Sequence, residues 1–434
     1  MTIAVTSRAV VLLSALLGLA GYIWVYAAGL ADLPIRSDGF SYYVYLPSWF
    51  LFHDTTLSAI ARDCCGGEFP DFSAIVRWPG TRRWVSAHPI GVAVMQAPVF
   101  PVAHALTRWT NLSPDGFSLY YQHAAGLAGL AWLIAGLEML RRLLLRSFSD
   151  GVTAATIAAI LLGTNLYHYG TFDSSYSHAY SFSLFGALMY LTAVWHERPD
   201  ARTSALIGLV SGLIVLVRHT NVLFLIMFAL YGAGTRGGLT ASISRLFNAR
   251  RELLRIAAVG AVVVAPQLLI YYEATGHFVI SSYVGMAFNW TSPKLFGVLF
   301  GVQKGLFFWS PLLMLAVVGL VILWRSGNRS SAFVVPGVIF LAINTYLIAS
   351  WWDWQFGASY GHRGFADALP VFALGLAALF ERASRTVPAR TSVAIVVTAL
   401  VLLSAFQMLQ YWYGIVPFSD TTWRQYRGIF LQWR

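Results

Sequence analysis

Asp38 stands in Leu33-Pro-Ile-Arg-Ser-Asp-Gly-Phe-Ser-Tyr-Tyr-Val-Tyr-Leu-Pro-Ser-Trp49, a single carboxylate beside a glycine and among tyrosines, just after the first apolar run of the chain. A carboxylate held where a membrane span ends loses hydration, which makes it a functional candidate, and its chemistry would be that of a general base. Further stretches supply groups of complementary kind. His88 opens Ala87-His-Pro-Ile-Gly91, Asp173 and His178 lie within Thr171–Tyr180, and Arg218 stands in Val217-Arg-His-Thr-Asn221. Lys304 falls between Gln303 and Gly305, and Trp351-Trp-Asp-Trp-Gln-Phe-Gly-Ala-Ser-Tyr-Gly-His-Arg-Gly-Phe-Ala-Asp367 carries an aromatic cluster at one end and, at the other, Arg363 followed by an acid. Acids that can take a proton and cations that can hold an anion, with aromatic rings between them, suit a phosphate at headgroup depth that carries a sugar.

Each stretch also has an ordinary reading. Tyr, Trp and Arg form belts at any membrane interface, a histidine one residue into a span can be a packing residue, and Arg218-His219 can cap a helix. Other chemistries lack their signatures: there is no His/Cys spacing for zinc, no phosphate-binding glycine loop and no Gly-x-Ser-x-Gly elbow. The adjacent cysteines Cys64 and Cys65 fit ordinary disulfide geometry poorly and have no neighbouring histidine, so they read as loop residues without a role.

The elements that must position these groups are membrane helices. Of 434 residues, 58% are hydrophobic and only 11% charged, against about 25% charged in soluble domains. The net charge of +11 comes from short basic clusters between apolar runs, a topology signal that gives no reason to expect nucleic acid. Runs of about 20 apolar residues predict spans near 9–31, 118–140, 152–170, 176–195, 204–218, 220–235, 256–272, 305–324, 332–350, 365–381 and 392–411. The first is longer than a cleavable signal core and reads as an uncleaved anchor. A further run, 89–107, is interrupted by Pro98 and Pro101.

Arg8, Arg141/Arg142/Arg146, Arg198/Arg202, Arg236–Arg255, Arg325/Arg329 and Arg382/Arg385/Arg390 are cytoplasmic by the positive-inside rule. That parity requires 89–107 to stay on the external side as a re-entrant or interfacial helix. The expectation is an all-α, polytopic transmembrane bundle of about eleven spans forming one domain over 1–434. Its first external loop is large, 32–117, the tail 412–434 is external, and every candidate above falls on the outer face. The insert Gly232–Arg255 reads as a basic surface helix on anionic lipid.

The order of these motifs resembles the GT-C superfamily of integral-membrane glycosyltransferases, nearest the branch of the protein O-mannosyltransferases and the lipid A aminoarabinose transferases. Ser37-Asp38-Gly39 matches that branch's acidic motif after the first span, and His88-Pro89-Ile90-Gly91 matches its His-Pro-Pro-Leu-Gly-Lys motif, without the second proline or the lysine. Asp173 matches an acid at the outer start of a later span. No large C-terminal soluble domain is present. The resemblance implies an inverting transferase at a bacterial inner membrane that moves a sugar from a polyprenyl-phosphate-linked donor to an envelope acceptor: a glycolipid such as lipid A, a polysaccharide or a protein. Asp38 would be the base, and Arg363, with Lys304 and Arg218, would hold the departing phosphate. His88, Asp173, His178 and Trp351 would wall the pocket. A divalent cation between acid and phosphate is compatible with this chemistry, and no compact ligand motif fixes one. The rivals are a flippase or exporter of lipid-linked sugars, which calls for midplane charges and broken spans that the chain does not clearly have, and a polysaccharide polymerase or ligase with a pyrophosphate-linked donor.

Overall fold

The structure, a computed structural model, describes residues 6–235, 238–281, 283 and 285–433; Arg236 of the basic insert lies outside them. Each of the eleven apolar runs folds as helix, several as two consecutive pieces. Among the described residues, six helices are long and apolar enough to cross a membrane: Ser7–Ala27, Leu119–Leu144, Arg250–Thr275, Arg329–Ser350, Arg363–Ala383 and Val387–Trp412. Asp150–Leu162, Ala201–Val217, His219–Ala229 and Leu312–Ser326 are shorter. Ser177–Glu197 has the length of a span, but Ser177, His178, Ser181 and Ser183 interrupt its apolar run. Among the described residues the only sheet is one antiparallel pair, Ile75–Arg77 with Trp84–Ser86.

Small residues let the helices close on one another. A Cβ on Gly129 would run into the Ser174 carbonyl, and Gly319 and Gly375 bring Leu312–Ser326 and Leu369–Ala383 together backbone to backbone, the usual means of close packing where lipid supplies no hydrophobic drive. The bundle has two distinct ends. At one, the Ser7 N–H donates to Asp150 (3.0 Å), Asn328 Nδ2 to the Ser147 carbonyl (3.1 Å), and Glu197 pairs with Arg146 (2.5 Å) and Arg329 (3.6 Å). The 32–117 segment, the Arg218 turn, the loop after Thr275 and the Trp351–Arg363 loop gather at the other. The loops carrying Arg146 and Arg329 thus lie together at one end, as the reading of the arginines groups them.

The proline-broken stretch dips and returns. It starts beside Ser41, through His88 (2.6 Å), and descends as Gly91–Gln96 until Trp132 Nε1 donates to the Met95 carbonyl (3.1 Å) and Gln96 Nε2 to Tyr180 Oη (2.9 Å). Ala97–Val99 turns it, and Phe100–Trp109 brings His104 back to Tyr121 (2.5 Å). Tyr43 Oη then donates to the Gly116 carbonyl (2.7 Å), so the chain has come back to the level at which it left. One expectation fails in this segment: Cys64 and Cys65, at the end of Ser58–Cys65, are joined in a disulfide. Gly66 and Gly67 follow with positive φ (65° and 98°), and this sharp turn lets the chain leave so tight a ring.

Candidate functional site

Asp38 begins the short helix Asp38–Tyr43, and the residue before it, Ser37, is held at φ 46°. That conformation is costly for a non-glycine residue and turns the chain sharply into the acid. Gly39 is required beside it, because any side chain there would collide with Ser175 Oγ, itself bonded to the Pro34 carbonyl (2.6 Å). Asp38 is thus wedged against the turn that precedes Ser177–Glu197.

Across from it, Arg363 donates from Nη1 to Asp38 Oδ2 at 2.7 Å. The two side chains are 14% and 25% exposed. Burial raises the Asp38 carboxyl, and the charge of Arg363 with that of Arg218 outweighs this, so the group lies below its ordinary range. The loop that delivers Arg363 bends at Phe356, Gly357 and Gly361 (φ 57°, 58° and 59°). Gly364, just past it, has no room for a Cβ because the Phe356 ring and Ile348 lie against it. The Phe356 ring faces two guanidinium groups, 5.7 Å from that of Arg218 and 5.9 Å from that of Arg363.

His88 forms a second wall. Ser41 Oγ donates its one proton to the Asp38 carbonyl (2.9 Å), so its contact with His88 Nδ1 (2.6 Å) has the imidazole donating. Nε2 is then the acceptor for the Tyr283 hydroxyl (3.2 Å). Burial pushes the imidazole down to about 4 and the Tyr283 phenol up to about 12, so both are neutral at pH 7. Gly91, three residues on, packs directly against the backbone of Leu216 and Val217, immediately before Arg218.

A second carboxylate completes the arrangement. Asp367 receives His178 Nδ1 at 3.1 Å and pairs with Arg218 at 3.6 Å. Asp38, His88, His178, Arg218, Trp351, Arg363 and Asp367 all line one cavity of about 420 Å³. Phe185, Phe288, Phe340, Leu347, Ile348 and Phe356 belong to its apolar lining, and Tyr283 and Asp353 to its polar lining. Trp351 is pinned edge-on to Tyr283 (5.3 Å between centroids) and against Phe288 (4.7 Å). Six of the eight residues singled out in the sequence therefore meet at this one site.

Two do not. Asp173 is not among the lining residues; it pairs with Arg36 (2.8 Å) and His168 (2.9 Å), and His168 is held in turn by Trp412 Nε1 (2.8 Å). Burial raises its carboxyl, and Arg36 and His168 more than reverse this. It braces the turn behind Asp38. Lys304 is also absent from the lining: its ammonium is spent on the carbonyls of Ser359 and Phe418. Asp353, Phe356 and Asp367 lie within the Trp351–Asp367 stretch but carried no role of their own in the sequence reading, and Tyr283 stood outside every stretch singled out there.

Among the described residues no group of three or more His, Cys, Asp or Glu side chains converges as a metal cradle would. A divalent cation here would draw most of its ligands from a substrate phosphate and water. In comparison with known proteins, no protein-family model matches the chain, and no curated protein matches it.

Proposed function

We propose that this protein is an inverting glycosyltransferase of GT-C type, close to the O-mannosyltransferase and aminoarabinose transferase branch, that takes its sugar from a polyprenyl-phosphate-linked donor. It would span a bacterial inner membrane about eleven times, with its N-terminus cytoplasmic and the cavity open to the outer face, and hand the sugar to an envelope glycolipid, polysaccharide or protein. The observation that carries this reading is the pairing of Asp38 with Arg363 in a cavity lined by both charged and apolar side chains. An anionic headgroup on a hydrocarbon chain combines the same two characters.

In the proposed reaction the donor phosphate takes the Arg363 guanidinium, with Arg218 as the second positive charge. Asp38, released from its counter-ion, accepts the proton of the acceptor hydroxyl as that oxygen attacks the anomeric carbon from the face opposite the phosphate. The bond from the anomeric carbon to the phosphate oxygen breaks, and its electron pair leaves with the phosphate, where the arginines hold the added charge. His88 and Tyr283, both neutral, can orient hydroxyl groups without competing for the anion.

Mass spectrometry of the envelope tests this. Cells lacking the gene should lose one sugar from a glycolipid, a polysaccharide or a protein, and the missing mass identifies donor and acceptor together. An unchanged sugar content in all three fractions refutes the proposal.

A further inference from the structure

The sequence places Lys304 at the donor phosphate, and the structure gives it other partners. The residue is 2% exposed, in a turn closed by the Gly305 N–H on the Gly301 carbonyl (2.7 Å) and pinned by Trp309 Nε1 on the Val302 carbonyl (3.0 Å). Its Nζ donates to the carbonyl of Ser359 and, at 2.7 Å, to that of Phe418. The same Phe418 carbonyl accepts the Ser359 N–H at 3.2 Å. Three chain segments thus meet on one amine: the turn after Leu295–Phe300, the loop that carries Arg363, and the C-terminal tail.

The link onward to Arg363 is short and has no slack. Ser359, Tyr360 and His362 are 1%, 1% and 2% exposed, Asn165 donates to the Tyr360 carbonyl (3.3 Å), and the Tyr360 hydroxyl donates to the Ser404 carbonyl (2.7 Å). A shift at Ser359 would pass along this buried stretch towards the guanidinium four residues later. A buried amine is expensive where a methionine would fill the same space, so its value lies in the direction of its bonds.

We propose that Lys304 is a positioning residue: by clamping Ser359 to the tail at Phe418 it fixes the Ser359–Arg363 stretch and aims the Arg363 guanidinium at Asp38. This deepens the transferase reading and rests on it for the role of Arg363. The clamp itself is a matter of geometry.

The test compares full-length wild type, Lys304→Met and Lys304→Arg in detergent. Hydrogen exchange should quicken at least ten-fold in peptides covering 355–363 and 414–420 of Lys304→Met and stay unchanged in Ser177–Glu197; Lys304→Arg, which keeps donors and charge, should recover part of the protection. In turnover, the acid limb of the Lys304→Met pH profile should move to higher pH, because a displaced guanidinium no longer holds the Asp38 carboxyl down. A residue that only fills space would lower the thermal midpoint without moving that limb. Exchange unchanged in both peptides, or raised evenly along the chain, overturns the proposal. If Lys304→Met does not accumulate, Lys304→Gln carries the same comparison. The exchange measurement needs no turnover: local loosening with no sugar transfer even in wild type refutes the reaction alone, whereas transfer by wild type with unaltered exchange in the variant refutes the clamp alone.

Discussion

Replacing each member of the Asp38–Arg363 pair, singly and together, separates what the pair does for the fold from what it does for the reaction. The oxygen and nitrogen are 2.7 Å apart. With charge centres near 4 Å, an effective dielectric of 20 gives an attraction of about 4 kcal/mol. Removing one partner of a fully buried pair costs roughly 3–5 kcal/mol, chiefly because the other charge is left unpaired. Here the side chains keep 14% and 25% of their exposure, so water offsets part of that loss, and Arg363→Gln should cost about 2 kcal/mol. Asp38→Asn should cost less, since the freed guanidinium still faces the rings of Tyr176 and Phe356. The double variant Asp38→Asn/Arg363→Gln leaves no lone charge and should regain at least half of the summed loss, a coupling of about 1 kcal/mol or more. Activity should behave differently. Asp38→Asn should lower kcat by roughly 10²–10⁴-fold while the donor KM stays level or falls, because the carboxylate no longer competes with the phosphate for Arg363. The double variant should remain inactive although its stability returns. Thermal midpoints in detergent and steady-state transfer would read both. Additive stabilities, or wild-type turnover by Asp38→Asn, would refute the reasoning.

Three further outcomes are expected. Single cysteines at Asp32 and Ser113, in a background with Cys64 and Cys65 changed to serine, should both react with an impermeant thiol reagent on intact spheroplasts; labelling at 113 only after lysis would mean that 89–107 crosses the membrane. The His88 imidazole, held at about 4 by burial, binds its proton more readily in the unfolded chain, so stability should fall as pH drops from 6.5 towards 4, and His88→Gln should show a shallower fall. The Lys304 amine, lowered to about 7 by burial and by Arg363, also favours the unfolded chain when protonated. Stability should therefore rise with pH between 7 and about 10, and Lys304→Met should lose that rise; parallel curves for the two proteins would remove the amine as its cause.

Helices were readable from the sequence wherever the apolar runs were long, since a span needs only length and apolarity. The break in 89–107 was readable as well, from its two prolines: the stretch folds as Gly91–Gln96 and Phe100–Trp109 with a turn at Ala97–Val99. Pairing was harder. Nothing in the order of residues says that Asp173 meets Arg36 rather than the cavity, or that Lys304 turns inward to two carbonyls, because both outcomes follow from contacts across more than fifty residues of chain. Asp38, Arg218 and Arg363 converge because each sits where a span ends at the same face, a property visible in one dimension. Asp367 was legible as an acid at the outer end of a span, but its role was not, because that depends on histidine and arginine partners far away in the chain. The Cys64–Cys65 bridge was missed by applying the geometry of distant cysteines to adjacent ones.

The contact at Gly91 bears on how this site could change over time. The wall that carries His88 and the turn that carries Arg218 touch there through backbone alone, with no room for even one carbon between them. Exchange of side chains on either wall can alter what the cavity recognises, but it leaves the distance between the walls as it is. Substrate preference can therefore drift by point substitution around a frame of constant width. Only a residue other than glycine at 91, or an insertion or deletion nearby, would reset that width, and such a change would disturb both walls at once.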